Sequence, residues 1–139
     1  MSAEENKAVV RRFVEGGWSG HNHNVIHEVV RPDYFNPAAV PEHQRGIAGA
    51  KHIANWLMSA FPDTRLDIEG IIADGGIVAI RGTASGTHEG EFMGIPPTGK
   101  RFAVQQVHWF RVADSKMAEH WAVRDDLGMM RQLGAAPAA

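Results

Sequence analysis

The sequence predicts an α+β fold in which N-terminal helices pack on one curved, mostly antiparallel sheet and enclose a cavity between the two layers. Three observations predict it. Apolar residues recur at helical spacing up to about residue 60 and at period two from Thr64 onward. Turn signals divide the second half at Asp74-Gly75-Gly76 and at Asp114-Ser115. Strands do not alternate with helices, so no βαβ unit is available to build a parallel sheet.

Taken in order, residues 3–17 put Val9, Val10, Phe13 and Val14 on one stripe and Glu4, Glu5 and Arg11 elsewhere, an amphipathic helix stopped by Gly16-Gly17. After Trp18 and a polar turn, Asn22 or Asn24 caps a second short helix holding Val25, Ile26, Val29 and Val30, which Pro32 ends. Asp33 to Pro41 reads as extended and irregular. A third helix over 46–60 carries Ile47, Ala50, Ile53, Ala54 and Leu57 on one face and closes at Phe61-Pro62. Thr64, Leu66 and Ile68 then alternate with charged residues until Gly70, which marks a bulge. A strand over 77–87 leads into the Gly/Pro-rich loop 88–100, HEGEFMGIPPTGK. Two strands meet at Asp114-Ser115, and a last short helix opens at Asp126, which is placed to cap it.

Composition narrows the function classes. The 139 residues predict one domain over 1–134, with 135–139 as a loose tail. A net charge of −2 gives no nucleic-acid footprint and no basic membrane-binding face. Without cysteine there is no disulfide, thiolate metal site or Cys nucleophile. No apolar run approaches the roughly 20 residues of a membrane helix, and the charged N-terminus is not a signal peptide, so a cytoplasmic location is the default expectation.

The stretch from Arg101 to Gly134 carries the candidate site. Paired without irregularity about Asp114-Ser115, Phe102, Val104, Gln106, His108 and Phe110 share one face with Met117, Glu119, Trp121, Val123 and Asp125. An apolar wall with a few convergent polar groups suits a small molecule. Asp125 on such a wall is poised by desolvation as a general base for a carbon acid. That register sets His108 opposite Trp121, with Asp125 about 13 Å further along, too far for a direct dyad but right for a ligand lying between them. Arg124 and Trp109 fall on the opposite face. No Ser or Thr lies on the candidate face, which argues against an acyl-enzyme.

Two motifs carry nothing. Gly94 to Lys100 has the spacing of a phosphate-binding loop, but Arg101 stands where Ser or Thr is needed, two prolines remove backbone donors, and a strand follows instead of a helix. His21, His23 and His27 lie across a polar turn, so a solvated helix start is expected in place of a metal site.

The segments GTHEGEFMGIPPTGKR, VHWFRVADSKMAEHW and DDLGMMRQLG resemble the SnoaL-like polyketide cyclases, also called ester cyclases, closely over residues 80–134 and more loosely through the N-terminal helices and DYFNP. The resemblance implies the cone-shaped NTF2-like (nuclear-transport-factor-2-like) α+β barrel shared with ketosteroid isomerases and scytalone dehydratase, and a homodimer or homotetramer packed through the sheet. It implies an intramolecular aldol cyclisation of a small hydrophobic carbonyl substrate, with no metal and no cofactor. In the characterised cyclases one Asp removes a carbon-bound proton and then protonates the new oxygen. By this resemblance that residue is Asp125. The strand His is His108, with Gln106 two residues before it, and the Asn after the second helix is Asn36. Phe102, Phe110, Trp121 and Val123 then form the apolar wall. An isomerase, dehydratase or hydrolase, or a non-catalytic ligand-binding protein, would use the same cavity. Ketosteroid isomerisation additionally wants a tyrosine facing the base, and Tyr34 is the sole tyrosine.

Overall fold

A computed structural model describes residues 2–135. Helix α1 (Ala3–Arg11) opens with a capping box: Ser2 Oγ accepts from Glu5 N–H at 3.1 Å, and the Glu5 carboxylate accepts from Ser2 N–H at 3.3 Å. The helix does not stop before the glycine pair. It runs on as a wider π-type turn, Arg12–Trp18, closed by Ser19 N–H on Val14 O at 2.8 Å. That turn brings Trp18 to the sheet, where its Nε1–H donates to Thr64 Oγ1 at 3.1 Å. Helix α2 (Asn24–Val29) has Asn22 Oδ1 accepting from Asn24 N–H at 3.2 Å and passes directly into strand β1 (Val30–Phe35). The sequence reads this segment as irregular because the strand is short and holds Pro32. It sits at the sheet edge, where a missing N–H is tolerated.

Helix α3 (Gly46–Ala60) has the bounds its periodicity predicts. Strands β2 (Arg65–Asp74), β3 (Ile77–Thr87), β4 (Arg101–Ala113) and β5 (Lys116–Arg124) follow, then helix α4 (Asp126–Gln132). Among the described residues these strands form one five-stranded sheet in the order β1-β5-β4-β3-β2. β1 runs parallel to β5, and every other pair is antiparallel. The sheet stays open, which corrects the expected α+β barrel to helices packed on an open mixed sheet. Val10, Val14, Val25 and Ile26 from the helices meet Val78, Ile80, Phe110 and Val112 from the sheet in the core.

The turns behave as their residues predict. The β2–β3 register shifts between Ile68 and Gly70. Asp114 and Ser115 both take positive φ, 53° and 63°, which matches the strand twist in a two-residue hairpin. One irregularity has no such signal. Arg111 pairs with Glu119 and Val112 with Met117, so Ala118 is an unpaired extra residue in β5. Beyond it every side chain on β5 is turned to the face opposite the one a regular hairpin gives.

Two contacts fix the ends of this sheet. The Gln132 carboxamide accepts from Ala103 N–H at 2.7 Å and donates to Ala103 O at 3.1 Å, seating α4 along β4. The loop after β3 is tied to the end of α3, with Glu89 and Gly90 N–H both donating to Ala60 O at 3.0 Å. Of the expected tail, residues 136–139 lie outside the described residues. A Cβ at Gly90 would collide with the Ser59 carbonyl oxygen, which is backbone and cannot rotate away. Gly90→Ala is therefore expected to lower stability by more than about 2 kcal/mol in denaturant unfolding, and an unchanged midpoint would contradict this packing.

Candidate active site

Period two along β4 buries Phe102, Val104, Gln106, His108 and Phe110 against the helices. The bulge at Ala118 decides what joins them from β5. Phe110 pairs with His120, His108 with Ala122 and Gln106 with Arg124. His120, Ala122 and Arg124 thus share the His108 face. Trp121 and Val123 are 47% and 77% exposed on the other side of the sheet with Trp109. Their expected place on the cavity wall is corrected by that one extra residue.

Asp125 is corrected in the same way. It stands past the end of β5, exposed, with its carboxylate accepting from Gly128 N–H at 2.8 Å as the N-cap of α4. A side chain at Gly128 would strike that carboxylate, so the cap is closely seated. The capping role expected of Asp126 belongs to Asp125, and Asp126 occupies the first turn. Asn36 is nearly buried after β1, where its Oδ1 accepts from Ala38 N–H at 3.0 Å and turns the chain.

The buried face holds a hydrogen-bonded chain that pattern reading missed. Tyr34 Oη lies 3.0 Å from His120 Nδ1, His120 Nε2 lies 2.7 Å from His108 Nδ1, and His108 Nε2 lies 2.7 Å from Gln106 Oε1. Phe110 stacks on His120 at 4.4 Å between centroids, and Trp18 packs at a right angle to His108 at 5.5 Å. The imidazoles are therefore held in orientation as well as hydrogen-bonded. His120 was hidden because a regular hairpin places it outside, and Tyr34 because its strand was not read.

Burial sets the charge state. It pushes His108 down to about 3, with the nearby Arg124 guanidinium adding to the effect. His120 lies well below the ordinary range, first through burial and then through its neighbours His108 and Arg124. Both rings are neutral at physiological pH. Arg124 is only loosely paired, its Nε 3.6 Å from Asp126 Oδ1, and its side chain is 36% exposed.

Elsewhere the histidines of the first turn are separately engaged. His21 Nε2 meets Thr64 O at 2.6 Å, His23 Nδ1 meets Asn55 Oδ1 at 3.0 Å, and Lys51 donates to His27 Nε2 at 3.2 Å. Among the described residues no group of three His, Asp or Glu is arranged to hold a metal, and no helix is long and apolar enough to cross a membrane.

The buried pair makes stability depend on pH with a definite sign. In the unfolded chain each histidine takes up a proton near pH 6.5. In the native state His108 resists protonation down to about pH 3 and His120 resists it likewise. Between those limits the unfolded state binds more protons, so stability falls as pH falls, by up to about 1.4 kcal/mol per pH unit for each ring. The thermal midpoint should drop steadily from pH 6.5 to 4.5, and His108→Gln/His120→Asn should flatten that slope. A wild-type midpoint that stays level over this interval would show that the rings are already charged.

Comparison with known proteins now places the chain. The family model for SnoaL-like polyketide cyclase matches residues 8–133. The aklanonic acid methyl ester cyclase DauD of Streptomyces sp. (strain C5) is 35% identical over 130 residues, covering 91% of this chain and 80% of that protein. The nogalonic acid methyl ester cyclase of Streptomyces nogalater is 35% identical over 112 residues, covering 78% and 83%. The structure of TsrD from Streptomyces laurentii superposes with a TM-score of 0.89 at 28% identity, covering 98% and 99%. With the match spanning both layers of the fold and the strands of the Gln106–His108 face, the chain belongs to the SnoaL-like polyketide cyclase family.

Proposed function

We propose that this chain closes a ring in a polyketide-derived 1,3-dicarbonyl compound, such as a methyl ester of the kind named for its relatives, by an intramolecular aldol step. The observation that carries the reading is the Gln106–Arg124 pair at the open end of the buried face, next to His108. An enolate formed between a ketone and an ester puts its charge on oxygen, and a carboxamide N–H and a guanidinium are both donors to such an oxygen. His108, neutral and held between His120 and Gln106, orients the Gln106 carboxamide without adding a competing charge. The step needs only proton transfer. The proton leaving carbon ends on the new alkoxide, carried by water at the mouth, so no cofactor enters the scheme.

In this reading deprotonation is driven by stabilising the enolate, and Asp125 serves as the cap of α4. A general base would be worth about 100-fold or more. Asp125→Asn keeps a competent cap and is expected to cost far less than that. Arg124→Gln should cost about 100-fold in kcat/KM on an anthraquinone β-keto methyl ester. Ring closure conserves mass, so it is followed by absorbance and chromatographic retention. The reverse pattern, with Asp125→Asn inactive and Arg124→Gln unaffected, would return the chemistry to a carboxylate base.

A second reading is favoured by one feature: among the described residues no carboxylate faces inward from β4 or β5. A protein that binds its ligand and releases it unchanged would need none. Retention of a β-keto ester without conversion would select this reading.

The outer sheet face supports an assembly of two copies. Ile72, Trp109 and Trp121 lie in one cross-strand row, and they are 71%, 49% and 47% exposed. Beside them Val107, Trp109, Trp121 and Val123 line an apolar depression of about 400 Å³ that includes Pro37. Contiguous apolar surface of this kind on a sheet marks an interface. Trp109→Glu should convert a dimer into a 15.2 kDa monomer in light scattering, whereas a wild type that is monomeric at micromolar concentration would remove the proposal.

A further inference from the structure

We infer that Tyr34 and His120 are positioning residues that lock His108 as its Nε2–H tautomer and so turn the Gln106 carboxamide, leaving its NH₂ group to act beside Arg124 as one half of a donor-only clamp for a 1,3-dicarbonyl. The inference deepens the cyclase reading and rests on it for the identity of the ligand.

The direction of the chain follows from counting donors. A neutral imidazole has one N–H and one acceptor nitrogen. If Tyr34 O–H donates to His120 Nδ1, then His120 Nε2–H donates to His108 Nδ1 and His108 Nε2–H donates to Gln106 Oε1, and the phenol and all four ring nitrogens are satisfied. In the opposite direction His120 Nδ1–H donates to the Tyr34 oxygen. The phenol hydrogen then needs an acceptor, yet among the described residues Tyr34 Oη has His120 alone as partner, and the residue is 2% exposed. An unpaired buried donor is costly, so the first direction holds. Burial also raises the Tyr34 phenol above its ordinary range, so it does not lose its proton to become an acceptor. The His120 ring does not turn over easily, because Phe110 stacks on it at 4.4 Å, and Phe110 runs nearly parallel to His108 at 6.1 Å between centroids.

The consequence lies at the other end. With Gln106 Oε1 committed to His108, the amide NH₂ points away from the chain, and among the described residues it has no acceptor. Gln106 is the ladder partner of Arg124, so their Cα atoms lie about 5 Å apart. Two neighbouring groups that donate and cannot accept select oxygen atoms. They hold the two oxygens of a 1,3-dicarbonyl, best as its enolate, and disfavour hydroxyl or amine donors at the same place.

Two measurements test this without a cyclisation substrate. Histidine-selective ¹⁵N NMR at pH 7 should show both His108 and His120 with the proton on Nε2. Tyr34→Phe should release the bias and raise the Nδ1–H population of both rings. Wild-type His108 protonated on Nδ1, or tautomers untouched by Tyr34→Phe, would overturn the positioning role. The donor role is read with acetylacetone, a 1,3-diketone that cannot cyclise and whose enolate absorbs in the near ultraviolet. Wild type should raise the enolate absorbance on binding. Gln106→Glu keeps an acceptor for His108 Nε2–H and replaces the NH₂ donor with a carboxylate oxygen that repels an enolate, so it should lose that binding at least tenfold with the His108 tautomer unchanged. Equal enolate binding by Gln106→Glu, or none by wild type, would overturn the clamp. Failure of ring closure on the polyketide ester, with the enolate signal intact, would instead count against the cyclase reading alone.

Discussion

One extra residue in β5 decides the character of this protein's interior. Ala118 has no partner on β4, and everything after it is turned by one step. A regular hairpin would bury Glu119 and present Asp125, Trp121 and Val123 to the helices. The bulged one keeps Glu119 outside, where its carboxylate meets Arg111 at 3.1 Å, and buries Met117 and Ala118 together. Burying an unpaired carboxylate costs several kcal/mol, and a partner on the outer face removes that cost. The side chain that comes inside in its place is His120, a polar group for which Tyr34 and His108 are ready partners.

The same shift settles the electrostatics of the face. A carboxylate wall with a cation outside becomes a neutral histidine pair with a cation at its end. Charge near two desolvated imidazoles is tolerable only if the rings stay uncharged, and burial and Arg124 both act in that direction. The interior is thus poorly suited to holding a second positive charge, which is the setting the proposed enolate reading uses. The π-type turn in the first helical segment serves the same face, since it carries Trp18 onto His108.

What the sequence made legible was what short-range chemistry encodes. Helix α3 appeared with its expected bounds because its apolar spacing and its Phe61-Pro62 stop are both local. The hairpins at Asp74-Gly75-Gly76 and Asp114-Ser115 and the bulge at Gly70 carry turn-forming residues. Gln106 and His108 were placed correctly because β4 is regular. Ala118 has no such signature, as alanine is indifferent to bulge and ladder, and the choice between registers is made by partners distant in sequence: Tyr34 from β1, Phe13 from the π-type turn, Arg111 across the ladder. Strand β1 was missed for the same reason, since a six-residue edge strand holding a proline exists only through its pairing with β5.

Family membership and chemistry therefore separate at one point in the chain. The matched segments set the fold and the Gln106–His108 strand, and a fold carries many reactions. The carboxylate that the resemblance assigns to Asp125 caps a helix here, and the proposed chemistry is built from the side chains that face inward. Those are a carboxamide, two neutral imidazoles, a phenol and a guanidinium. On the proposed reading, such a set is better suited to stabilising an enolate than to abstracting a proton, and so to substrates whose carbon acid is already strong, such as a ketone–ester methylene. The apolar row that the bulge leaves on the outer face completes the argument. Trp121 and Val123 stay exposed there, and their exposure is the complement of the arrangement that brings His120 and Arg124 inside.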